Sequence, residues 1–142
     1  MLTVYILASS QEAKYVEQFW IHMALLRRQV KSVTWASPLY VENMATDSNA
    51  LVATIPGKYI VVGCMSNRFV SALLDEPALR EMIDGAAVKI PFVISPCTWN
   101  EAPNPFADRM PFLSTAITSA QEKDSLFAQA VSRLRVVVNR EL

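Results

Sequence analysis

Apolar positions along the chain change their period several times. Residues 2–8 (Leu-Thr-Val-Tyr-Ile-Leu-Ala) are rich in β-branched and aromatic side chains and end at Ser9-Ser10, which predicts a buried strand. Ser10 is placed to cap a helix through Gln29, because apolar side chains then recur at Tyr15, Val16, Phe19, Trp20, Met23 and Leu26. Residues 32–36 predict a short second strand, and residues 38–46 have no clear period and read as a loop. Asp47 or Ser48 can cap a short helix through Thr54, and Pro56-Gly57 makes a turn. Residues 58–65 form a nearly continuous apolar run, as a parallel strand covered on both faces requires.

Helical spacing resumes from Arg68 to Asp84 and is interrupted at Pro77, which cannot donate an interior helix bond. Gly85 closes this stretch, and residues 88–95 predict another buried strand. Residues 96–111 carry Pro96, Pro103, Pro105 and Pro111 and therefore predict a structured loop. A last short strand is expected over residues 112–117. Ser119-Ala-Gln-Glu122 reads as a capping box for a helix running to about Asn139, with Phe127, Val131, Leu134 and Val138 on one face. Strands alternating with helices imply an α/β domain spanning residues 1–142, a parallel sheet of about five strands with helices on both faces. Ligands of such sheets bind outside the carboxyl ends of the strands. Those ends are Ser9-Ser10, Ala36-Ser37, Met65-Ser66 and Ser95-Pro96.

Composition narrows the function. The chain is 52% hydrophobic and 18% charged, which excludes disorder and favours self-association or a partner. Thirteen basic residues balance thirteen acidic ones, which argues against nucleic acid as the main ligand. Two cysteines and one histidine exclude the usual Cys/His zinc arrays, so no metal site is expected. Cys64 and Cys97 sit in apolar surroundings that suit reduced thiols in the cytoplasm. No apolar run approaches the ~18 residues of a membrane span. Three scattered glycines do not make a phosphate-binding loop. The single His22 lies mid-helix, which argues against a Ser-His-Asp triad. A phosphoreceiver needs acidic residues where this chain has Ser9-Ser10 and Ser66. The acidic groups after the third strand are Asp75, Glu76 and Glu81. Spacing alone assigns Asp75 and Glu76 to helix capping and Glu81 to a solvated face. Trp35 and Trp99 stand at or beyond strand ends, where spacing alone reads them as core or loop anchors.

The stretch from Val88 to Trp99, followed by Pro105-Phe106 and Met110-Pro111, resembles the "viPviLrpcdW" segment of bacterial Toll/interleukin-1 receptor (TIR) domains. Residues 124–138 are similar to the family's later helix, residues 4–10 to its opening strand, and residues 60–66 with Phe69 and Ser71 to its "illLvSpdFlaS" segment. Leu25–Gln29 and Val33–Trp35 resemble the end of its first helix and its second strand. Residues 35–42 lack the Asp and the Pro-Gly turn that the family usually carries after that strand.

The resemblance implies a flavodoxin-like TIR fold and one of two functions. One is an NAD glycohydrolase that releases nicotinamide and ADP-ribose or a cyclic ADP-ribose, activated by self-association in a defence or cell-death system. NAD is then the substrate, and no separate cofactor is implied. Carried over, the catalytic glutamate is Glu76, with Glu81 as the alternative, and Ser9, Ser10, Trp35 and Ser66 are the expected pocket residues. The other function is a non-catalytic scaffold that assembles with copies of itself, with other TIR chains or with a sensor chain. A nucleoside deoxyribosyltransferase-like enzyme is a third reading, because that family has a related layout and sets a glutamate against a ribose carbon.

Overall fold

A computed structural model describes residues 1–44, 57–101 and 103–142. Five strands form one sheet: β1 (Leu2–Ala8), β2 (Val33–Trp35), β3 (Leu39–Tyr40), β4 (Lys58–Met65) and β5 (Val88–Val93). Every pairing is parallel. The order is β2-β1-β4-β5, with β3 also paired to β1. β2 meets β1 at Leu2–Val4 and β3 meets it at Leu7–Ala8, while β4 lies along Leu2–Leu7. β2 and β3 are thus two pieces of one edge. Counted that way, the order is the doubly wound flavodoxin-like one, with its switch point between β1 and β4.

The two-residue period of the strands sorts the core into two layers. Leu2, Val4 and Ile6 of β1, Ile60, Val62 and Cys64 of β4, and Ile90 and Phe92 of β5 share one buried cluster. That face is covered by α1 (Ala13–His22), α2 (Ala24–Gln29) and the long α6 (Lys123–Glu141). Phe19 sits at its centre, with ring centroids 4.8 Å from Phe92 and 6.4 Å from Phe127. Leu7, Val61 and Met65 face the other way, under α3 (Val41–Met44), α4 (Asn67–Asp75) and α5 (Pro77–Asp84). β4 is central and buried on both faces, which is why its apolar run is nearly unbroken.

The helix over 68–84 divides as expected at Pro77, which takes the first turn of α5, where its missing N–H costs nothing. Four expectations need correction. The first helix is capped by Ser9 rather than Ser10: Ser9 Oγ accepts from Gln11 N–H, and a short 3-10 turn (Ser10–Glu12) precedes α1. Residues 39–40, expected as loop, form β3. Residues 112–117, expected as a strand, form none. The reason lies in Pro91 on β5. Its carbonyl accepts from Phe112 N–H at 3.0 Å, but a proline has no N–H to return, so no ladder propagates. Phe112, Leu113 and Ile117 are buried in the first core layer instead. The capping box also fails: Ser119 lies in a 3-10 turn (Ile117–Ser119), and Glu122 is the residue before α6, with no side-chain cap bond. The helix expected over 47–54 and Pro56 lie outside the described residues. Gly57 has φ 72°, a left-handed conformation open to glycine.

Candidate active site at the carboxyl edge of the sheet

The switch point lies between the ends of β1 and β4, where Ser9-Ser10 and Ser66 follow the strands. Both Ser9 and Ser66 are buried. Ser66 caps α4 by accepting from Phe69 N–H at 3.3 Å. Ser9 donates its hydroxyl proton to Glu42 Oε2 at 2.7 Å, and the Ser10 amide donates to Glu42 Oε1 at 2.8 Å. Glu42 stands in the first turn of α3, which β3 delivers to this place by pairing with Leu7 and Ala8. Burial pushes the Glu42 carboxyl up, but the bonds from the Ser10 amide and the Ser9 hydroxyl outweigh it and hold the group below the usual carboxylate value. Glu42 is therefore a fixed anion that ties the start of the first helix to the edge strand.

Glu12, in the turn after β1, is the second carboxylate at this edge. Burial raises the thiol of Cys64 near the end of β4, and the charge of Glu12 raises it further. The same two causes, in the same order, raise Cys97 in the loop after β5. Tyr40 ends β3 close to Glu42 in sequence; its hydroxyl is raised by burial first, then by the charge of Glu17. Glu12, Tyr40 and Glu42 were not singled out from the sequence. The signal for Glu12 is Ser9-x-x-Glu12, a capping-box spacing at a strand end. Nothing local marks Glu42, because its role depends on a two-residue strand.

The residues expected from the sequence are divided. Ser9, Ser10 and Ser66 are at the carboxyl edge. Trp35 ends β2 on the first core layer, where its indole N–H donates to the Val30 carbonyl at 2.9 Å. Glu76 is the hinge residue between α4 and α5 (φ −120°, ψ 92°), half-buried, with no side-chain cap bond. α4 follows its cap Ser66 and is nine residues long, so Glu76, just past its far end, stands roughly 14 Å from the edge at 1.5 Å per residue. Glu81 is exposed on α5. His22 bonds Asp124 at 3.2 Å and stacks on Phe127 at 5.4 Å, on the helical layer away from these groups.

Among the described residues no group of three or more His, Cys, Asp and Glu side chains is arranged to hold a metal ion, and no helix is long and apolar enough to cross a membrane. No family model, no curated protein and no solved structure matches this chain.

Proposed function

We propose that the protein is a cytoplasmic NAD glycohydrolase of the TIR type that binds its substrate at the carboxyl edge of the sheet. The observation that carries the reading is the combination at the β1–β4 switch point of buried serine caps with the Glu42 carboxylate they hold and Glu12 in the turn after β1. Sheets of this order take nucleotides at that place. Loss of nicotinamide builds positive charge on a ribose carbon, as in glycoside cleavage, and a fixed carboxylate stabilises that charge. Glu42 already has both oxygens engaged, so its part is to hold the edge in shape. Among the described residues the Glu76 carboxylate has no such engagement, which suits the catalytic role the TIR resemblance gives it. It lies a helix length from the edge. Self-association would set the active form, in keeping with the low charged fraction.

The test is NAD loss and nicotinamide release by concentrated protein, with and without a crowding agent. Glu76→Gln should lower turnover at least ~100-fold, the scale for removing one transition-state-stabilising group, while Glu81→Gln leaves it intact. Glu12→Gln is the third arm. If it alone abolishes turnover, the catalytic carboxylate is the one in the turn after β1. Absence of turnover under conditions that assemble the protein would leave the scaffold reading, in which the chain acts through its surfaces.

A further inference from the structure

The open edge of the sheet carries a second feature that the carboxyl-edge reading does not use. A cleft of about 530 Å³ lies between the first half of β5, the segment from Arg109 to Phe112 and the last turns of α6. That volume falls within the ~300–1,000 Å³ usual for small-molecule sites. Four cations line it, Lys89, Arg109, Arg133 and Arg140, against one acid, Asp84. The difference, four minus one, is a local charge of +3 in a chain whose formal net charge is zero.

The fold concentrates this charge by ordinary helical spacing. Arg133, Val137 and Arg140 are four and three residues apart on α6, so they share one face. That face lies alongside β5 because the strand expected there does not form. The missing N–H of Pro91 leaves the first half of the edge uncovered, while Phe112 closes only its middle.

The cations have donors to spare. The Lys89 side chain is only 14% exposed and its ammonium touches one oxygen, Asp84 Oδ1 at 2.8 Å. Arg133 donates to the Phe112 carbonyl, which uses one of five guanidinium N–H groups. Among the described residues the one ion-pair partner of Arg109 is its exposed neighbour Asp108, at 3.4 Å. Arg140 has no ion-pair partner among the described residues. Ile90, Phe112 and Val137 supply apolar wall between these groups.

We propose that this cleft is a binding site for a small organic anion with at least two negative charges, a phosphate ester or diphosphate. Guanidinium forks match phosphate oxygens in pairs, and a di- or trianion neutralises the local charge. The apolar wall takes the organic body. The site lies at the amino-terminal half of β5, at the opposite end of the sheet from Ser9, Ser10 and Ser66, and does not depend on the NAD reading.

The probes are inorganic pyrophosphate and phenyl phosphate, titrated calorimetrically into the wild-type chain, Arg140→Gln and the double variant Arg109→Gln/Arg140→Gln. Both arginines are exposed, and circular dichroism melts check that the variants remain folded. The expected result is saturable binding that weakens with added salt and falls at least ~10-fold in the double variant. NAD turnover, where present, should be unchanged in that variant. No saturable binding at millimolar pyrophosphate and phenyl phosphate would overturn the proposal. So would unchanged affinity in a folded double variant, since the anion then binds elsewhere. Binding of pyrophosphate without phenyl phosphate would refute the organic-ligand assignment.

Discussion

Gly63 is the one position of β4 where the sheet meets an aromatic ring with no side chain between them. A Cβ built there would lie 2.5 Å from Phe106 Cζ, 2.8 Å from its Cε2 and 2.7 Å from Met65 Cε. Carbon atoms settle at ~3.5–4.0 Å, so Gly63→Ala displaces the Phe106 ring by about 1 Å. Met65 can yield through its flexible thioether, but Phe106 is fully buried. Overpacking of this kind costs ~1–3 kcal/mol, offset by ~0.4–1 kcal/mol from the smaller unfolded-state entropy of alanine. The net expectation is destabilisation by about 1–2 kcal/mol, read as a lower urea midpoint with the slope unchanged. Phe106→Ala alone should cost ~3–5 kcal/mol. In the Gly63→Ala background it should cost less, because the clash is relieved, with a coupling of at least ~0.5 kcal/mol in the double-mutant cycle. Strict additivity, or a Gly63→Ala variant as stable as wild type, would refute the reasoning. The pair also matters for the loop, since Phe106 anchors the proline-rich segment that carries Cys97 and Trp99 onto the second core layer.

Three further outcomes follow. Ser9→Ala removes both the cap of the first turn and a proton donor to Glu42, and should cost about 1 kcal/mol at neutral pH. The folded carboxyl of Glu42 is held below its ordinary value of 4.5, so its stabilisation is full above that pH and is lost as pH falls through the folded value. The stability gap between wild type and Glu42→Gln should therefore shrink below about pH 4.5, which urea midpoints at pH 7 and pH 3 would show. A gap that widens in acid would contradict the assigned bonds. Thiol titration with a disulfide reagent should count one reactive cysteine in the native protein and two in denaturant. Cys64 is fully buried, whereas Cys97 is half-buried and should react slowly, faster toward alkaline pH because burial and Glu12 raise its thiol.

The sequence by itself determined the doubly wound layout. β1 and β4 are legible because a parallel strand buried on both faces needs a nearly continuous apolar run, and their sequences supply one; β5 is legible from its apolar, β-branched run around Ile90, Phe92 and Val93. The break at Pro77 is legible because a proline's missing N–H acts locally. The serine ends of β1 and β4 are legible because strand ends follow from strand runs. Only the tertiary structure decided the rest. β3 is two residues long and exists because Leu7 and Ala8 leave an edge to pair with, so no periodicity within it could be read. Glu42 gains its meaning through that pairing, by hydrogen bonds to residues 33 and 32 positions away. The strand expected over 112–117 fails for a reason held in a different segment, the edge position of Pro91. The cationic cleft arises in the space that failure leaves, from charges on β5, α6 and the loop between them. Local patterns report which face a segment buries; they do not report which distant residue will stand opposite it.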